Sequence, residues 1–140
     1  MSDWQLYALA SAFFAGLTAI FVKMGVCDIP SNVAMWIRTI VIVFFLTLLI
    51  TFRREWISPS AINHRNLIFL VLSAIATGLS WMCYFRALQT GPASLVGSID
   101  KLSLVFTVLL AVLILHEHLS WWQLGGVALT VCGTLLIVLK

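Results

Sequence analysis

Two neighbouring ionisable residues, Asp100 and Lys101, lie inside a long apolar stretch of this sequence. The stretch from Ala93 to Leu115 is long enough for a membrane-spanning helix, which needs about 20 apolar residues. A charge near the centre of such a helix costs roughly 3 kcal/mol or more unless it faces protein, water or another charge. Because consecutive helical residues point about 100° apart, the two side chains cannot form a good pair with each other. We therefore expect each to have another partner, and Arg38 is the intrachain candidate for Asp100.

Other polar residues also fall inside apolar segments. Arg38 lies nearly two turns inside the second segment, where it either binds a substrate or an acid or snorkels towards the preceding loop. Lys23 ends the first segment, where it either closes one mouth of a substrate path or anchors the helix at the membrane surface. Hydroxyl groups recur on one face of the third segment, where they either line a polar cavity or hydrogen-bond to neighbouring helices. The predicted pathway residues are Asp100, Lys101, Arg38, Lys23, Ser73, Thr77, Ser80, Tyr84, Ser98 and Ser103.

The composition identifies the class of protein that holds these residues. The chain has 140 residues, of which 62% are hydrophobic and 9% are charged, whereas soluble domains carry about 25% charged residues. The net charge of +3 is dispersed, and no basic cluster with interleaved aromatic residues indicates nucleic-acid binding. The sequence therefore predicts an all-α, polytopic membrane protein. A single domain over residues 1–140 would contain five transmembrane helices, at about 4–23, 32–52, 67–88, 93–115 and 121–139.

Catalytic and metal-binding patterns are not apparent. We find no nucleophile–base pair and no phosphate-binding loop. His116 and His118 flank Glu117, but metal ligands on a helix need spacings of three or four residues. The sequence therefore predicts neither an enzyme nor a metal or other cofactor. Three cysteines lack metal or redox spacing and are interpreted as small apolar residues: Cys27, Cys83 and Cys132.

The distribution of basic residues bears on the orientation of the chain in the membrane. With five helices the termini lie on opposite sides, and loop charge normally fixes the orientation. Here each side carries three basic residues once the intramembrane Arg38 and Lys101 are left out, so the chain could insert both ways. Two inverted copies would form an inverted repeat of ten helices, as in many secondary transporters. The two sets are Arg53, Arg54 and Arg65 on one side, and Lys23, Arg86 and Lys140 on the other.

Several motifs resemble one known family. The segment from Tyr84 to Leu139 contains A-L and G-P-A-S before an apolar helix, then an H-E-H-L-S turn and a glycine-containing last helix. Together with F-V-K-M-G at 21–25, W-I-R-T at 36–39 and D-K-L-S at 100–103, it resembles the EamA-type domain of the drug/metabolite transporter superfamily. The turn departs from the pattern, because His116 replaces the usual Gly and His118 an Arg that is often present. The likeness is greatest to short five-helix bacterial and archaeal members.

This resemblance implies a function and an assembly. Larger members carry two such domains in tandem, so a short chain is expected to work as a homodimer in the lipid bilayer of the bacterial cytoplasmic membrane. The expected activity is secondary transport or facilitated passage of a small polar metabolite. Asp100 would bind a cationic group or carry a coupling proton, while Lys101 and Arg38 would hold an anionic group. The alternative is a structural or accessory membrane protein whose buried charges specify helix pairing.

Overall fold

The computed structural model describes residues 3–58 and 61–139 of the 140-residue chain, and all of its extended regular elements are helices. Lys140, which the charge comparison assigns to one side of the membrane, lies outside these residues. In chain order the helices are α1 (Asp3–Gly25), α2 (Ser31–Arg53), α3 (His64–Thr90), α4 (Ala93–Asp100), α5 (Ser103–Leu115) and α6 (Trp121–Val138).

Five segments within the described part of the chain are long and apolar enough to cross a membrane. They are α1, α2, α3 and α6, together with the span from Ala93 to Leu115 that contains α4 and α5. Most of their large apolar side chains are exposed in the single chain; Phe44 in α2 and Leu113 in α5 are examples. Such an apolar exterior is suited to lipid. The prediction of an all-α membrane protein with five spans is confirmed.

The fourth span is interrupted near its middle, whereas the sequence predicts a continuous helix from Ala93 to Leu115. Lys101 donates its backbone N–H to the Ser98 carbonyl at 3.1 Å, and Leu102 donates to the Ile99 carbonyl at 2.9 Å. These bonds join residues three apart, as in a 3₁₀ turn, instead of four apart. A short 3₁₀ stretch within a helix often marks a hinge or a site under strain.

The segment Phe21–Gln89 forms one compact unit, which contains the end of α1, all of α2 and all of α3 except its last residue, Thr90. Its most buried side chains are those of Val26, Phe85 and Leu88, with 1%, 2% and 0% of their surface exposed. Val22 and Ser31 are also buried. This small core therefore joins the C-terminal ends of α1 and α3 to the start of α2.

The segments before Phe21 and after Gln89 form the second compact unit, in which α4 and α5 both pack against α6. A capping box begins α6: Gln123 donates its N–H to the Ser120 hydroxyl at 3.3 Å, and the Ser120 N–H donates to the Gln123 side chain at 2.7 Å. At the other end of the connection, α5 is followed by His116, which has a left-handed backbone with φ 55°. Glycine usually occupies this conformation, because other residues have a Cβ that crowds the backbone.

Candidate functional site

The interruption of the fourth span positions Asp100 and Lys101. Asp100 is the last residue of α4 and Lys101 lies in the 3₁₀ turn that follows it. Both are exposed in the single chain, and neither forms an ion pair with a residue in the described ranges. They lie about 10 Å along the helix axis from Ala93, at a rise of about 1.5 Å per residue, and so are well inside an apolar core about 30 Å thick.

Two predicted pathway hydroxyls flank this charged turn. Ser98 is half-buried, and its hydroxyl donates to the Ser94 carbonyl of its own helix at 2.8 Å. Ser103 begins α5 and is exposed, while its carbonyl accepts a bond from the Thr107 hydroxyl at 2.9 Å. A serine that donates within its helix still has an oxygen lone pair for another donor. The structure thus brings Ser98, Asp100, Lys101 and Ser103 together around one turn, which we name the α4–α5 turn.

Arg38 contacts aromatic rings of α3. Its guanidinium carbon lies 3.7 Å from the centre of the Trp81 ring and 5.9 Å from that of Phe85. Trp81 also packs edge-to-face against Tyr84 and Phe85, at centroid distances of 5.6 Å and 5.8 Å. A desolvated cation–π contact contributes about 2 kcal/mol, which is less than the cost of placing an isolated arginine in a membrane interior. The rings therefore orient Arg38 without fully compensating its charge.

Lys23 makes a specific structural bond. Its ammonium group donates to the Leu88 carbonyl at 2.7 Å, within the core of the segment Phe21–Gln89. In a continuing helix, the Leu88 carbonyl would accept a hydrogen bond from the backbone N–H of residue 92. That residue is Pro92, which has no backbone N–H. A cation at a helix C-terminus also interacts favourably with the helix dipole. This bond gives Lys23 a structural role beyond that of an interfacial anchor.

The α3 hydroxyls divide into two groups. Ser73, Thr77 and Ser80 are exposed in the single chain, whereas Tyr84 is half-buried beside Trp81. Arg38 and Tyr84 therefore share one aromatic neighbour. The structure brings these two predicted residues together and leaves the other three on an open surface.

Gln89 is a structural residue outside the predicted pathway set. Its amide nitrogen donates to the carbonyls of Val26 and Ile29, at 3.3 Å and 3.0 Å, and its amide oxygen accepts a bond from Arg86 at 3.1 Å. The side chain thus fixes the loop between α1 and α2 to the end of α3. Its position just before the Gly91–Pro92 break is the sequence signal that could have indicated such a role.

Charged and polar side chains occur in each of the two compact units, and we consider each set by itself. The α4–α5 turn presents a carboxylate and an ammonium group, and Arg38 presents a guanidinium oriented by rings. Within the described residues no group of three or more His, Cys, Asp or Glu side chains could hold a metal ion. The groups that are present can bind charged or hydrogen-bonding molecules.

Comparisons with known proteins identify the family of the chain. Residues 3–139 match the EamA-like transporter family. A protein of Sinorhizobium named "Uncharacterized transporter in cobO 3′ region" is 45% identical over 135 residues, which cover 96% of each chain. An uncharacterized protein of Methanocaldococcus jannaschii is 26% identical over 132 residues, covering 94% of this chain and 93% of the relative. No solved structure gives a significant match.

Proposed function

This chain belongs to the EamA-like transporter family and is a multi-pass membrane transporter, and we propose that it carries a small polar metabolite as a secondary transporter or facilitator. We further propose that it works as an antiparallel homodimer in the bacterial cytoplasmic membrane. In this proposal the α4–α5 turn contributes to the substrate pathway. Asp100 binds a cationic group or a coupling proton there, and Lys101 binds an anionic group.

The observation that carries the proposal is the exposure of Asp100 and Lys101 within the fourth span. In the single chain, neither is paired with a described residue. If it faced lipid, each charge would cost roughly 3 kcal/mol or more. That cost is a large part of the free energy of unfolding of a typical protein, which is about 5–15 kcal/mol. Water, a substrate or a second protein chain can remove this cost. A pathway beside the turn supplies water and substrate to both residues.

The homodimer is supported by surfaces that have no neighbour in a single chain. Gly16 in α1 lies beside a stripe of small residues formed by Ser11, Ala15 and Ala19, and Gly133 lies on a similar stripe in α6. A Cβ at either glycine would meet nothing within 4 Å. Small residues let membrane helices approach closely. Together with the balanced loop charges, these stripes favour a second, inverted copy as the neighbour.

Flux measurements test the role of the charged turn. Wild-type protein in liposomes is screened with a panel of labelled metabolites, and Asp100→Asn and Lys101→Met are then assayed with the transported compound. We expect each variant to lose at least nine-tenths of the flux. A tenfold loss corresponds to about 1.4 kcal/mol, which is the size expected when one substrate contact is removed. Circular dichroism checks that both remain folded.

Matched controls are available in the loop after α1 and at the C-terminal end of α2. Asp28→Asn removes an exposed loop carboxylate, and Arg53→Met removes one partner of the exposed Arg53–Glu55 pair, whose charged atoms are 3.7 Å apart. Both controls should retain flux, since exposed ion pairs contribute only about 0–1 kcal/mol. Unchanged flux in Asp100→Asn and in Lys101→Met would remove the α4–α5 turn from the mechanism.

Reporter fusions test the inverted assembly. A C-terminal reporter that is active only in the cytoplasm and another that is active only outside it are expressed separately at native levels. Dual insertion predicts activity from both fusions in comparable amounts. A signal from only one compartment contradicts the antiparallel homodimer. It does not affect the role of the α4–α5 turn, which the flux experiment tests separately.

A further inference from the structure

We propose that Arg38, held on the face of Trp81, is a receptor for an oxyanion of the substrate, either a carboxylate or a phosphate. This inference rests on the proposed transport function and specifies its substrate class. Every contact that carries it lies inside the compact segment Phe21–Gln89.

The distance between Arg38 and Trp81 determines how the guanidinium is oriented. Its carbon is 3.7 Å from the ring centre. If the group stood on edge with nitrogens towards the ring, conjugated C–N bonds of about 1.33 Å would bring a nitrogen to roughly 3 Å or less. Optimal nonbonded contacts are about 3.5–4.0 Å. We infer from this distance that the guanidinium lies with its face on the indole, which would point its N–H groups sideways from the stack.

Those N–H groups are not used by the rest of the described chain. Arg38 makes its contacts with Trp81 and Phe85, and no hydrogen bond or ion pair joins it to residues 3–58 or 61–139. A guanidinium has five N–H donors in a planar fork and stays charged in proteins. Arg38 thus presents an oriented set of donors that has no acceptor within the described residues.

An oxyanion fits this set of donors. Carboxylate and phosphate groups accept two parallel N–H bonds from one guanidinium, which fixes both distance and direction. The half-buried position of Arg38 strengthens the attraction, since screening by water is reduced there. The aromatic support holds the fork in place before binding, which lowers the conformational cost of capturing the anion. Lysine would keep the charge but lose this planar geometry.

Trp81 provides a spectroscopic probe for the experiment. Purified protein in a neutral detergent is titrated with short carboxylates and phosphate monoesters, and with the corresponding compounds that lack the anionic group. We expect a saturable change of tryptophan emission with members of one anionic class and none with the neutral compounds. Arg38→Gln should raise the Kd at least tenfold, and Arg38→Lys should raise it to an intermediate extent.

Two further variants separate binding from packing. Trp81→Phe should lose most of the emission change yet still show an anion-dependent rise in Tm, because phenylalanine retains an aromatic face. Arg65→Gln is the matched control: its guanidinium carbon also lies near a ring, 5.9 Å from the Phe69 centre, but Arg65 is exposed. It should bind anions like the wild type. If Arg38 served only to pack α2 against α3, anions would not affect the Tm of any variant.

Three results of the binding experiments would overturn the inference. They are the absence of a saturable response to every anion, an unchanged Kd in Arg38→Gln, and a response to phosphatidylglycerol vesicles that free anions do not reproduce. The last result would identify a lipid headgroup instead of a substrate as the ligand. Flux that depends on Asp100 and Lys101 but shows no preference for anions would refute this inference while leaving the proposed transport function intact.

Discussion

Replacing Lys23 by methionine should destabilise the protein, whereas the same replacement at Lys101 should not. The two lysines occupy different environments in the structure. Lys23 donates to the Leu88 carbonyl at 2.7 Å, and Leu88 is completely buried. Lys101 is exposed and has no ion-pair partner in the described part of the chain. The pair of variants therefore compares a bonded with an unbonded ammonium group at constant side-chain chemistry.

The expected size of the effect follows from the geometry. A hydrogen bond from a charged donor contributes about 1.5–3 kcal/mol, and a buried acceptor that loses its partner costs about 1–3 kcal/mol. Methionine retains the apolar stem of lysine and so preserves part of the packing. We therefore expect Lys23→Met to lower the free energy of unfolding by about 2 kcal/mol. Lys101→Met should leave it unchanged or raise it, because it removes a charge from an apolar span.

Thermal unfolding of the purified variants in detergent, followed by circular dichroism, measures this difference. A double-mutant cycle with Pro92→Ala tests its cause. Alanine restores an N–H that Leu88 can accept, so the cost of Lys23→Met should fall by about 1 kcal/mol in that background. Equal stabilities of Lys23→Met and Lys101→Met would refute the structural role of Lys23. An identical cost in both backgrounds would show that the missing proline N–H is not the reason for the bond.

Two further predictions concern the connections around the fourth span. His116→Gly should stabilise the protein by about 1 kcal/mol in the same unfolding assay, since the residue has φ 55°, and His116→Ala should not, because alanine keeps the Cβ. In a cysteine-free background, Ser103→Cys should react with a membrane-impermeant maleimide if water reaches the α4–α5 turn. Leu109→Cys in α5 is the exposed apolar control and should stay unmodified, and equal reactivity of the two sites would contradict a localised aqueous path.

The sequence predicts the membrane class and the spans well, because these depend on local apolar content. The long apolar segments and the Gly91–Pro92 break are visible without tertiary information. The interruption at Lys101 and Leu102 is not visible, because a change from four-residue to three-residue hydrogen bonding needs no proline or glycine. His116 has a left-handed backbone, which is the conformation that glycine, the residue expected here from the family resemblance, adopts most easily.

The partners of the polar residues are harder to predict, because they depend on contacts between distant parts of the chain. Spacing places Lys23 at a helix end but does not reveal the Leu88 carbonyl 65 residues away. Likewise, charge complementarity favours Asp100 as the partner of Arg38, whereas the contacts observed for Arg38 are with Trp81 and Phe85. Charge rules consider only formal ions, and they overlook ring faces and backbone carbonyls as acceptors.

The intramembrane polar groups of this chain can be distinguished by whether the chain itself satisfies them. Lys23 and Gln89 bond to backbone carbonyls in a small buried core, so their polarity contributes to folding. Asp100 and Lys101 have no ion-pair partner among the described residues, and Arg38 has only rings. Polar groups that serve helix pairing alone need a fixed partner, because an unpaired charge in a low-dielectric setting destabilises the fold. Groups that act on a passing solute must remain accessible until it arrives. Under the proposed function we expect transport to depend on Asp100, Lys101 and Arg38, whereas stability should depend on Lys23 and Gln89.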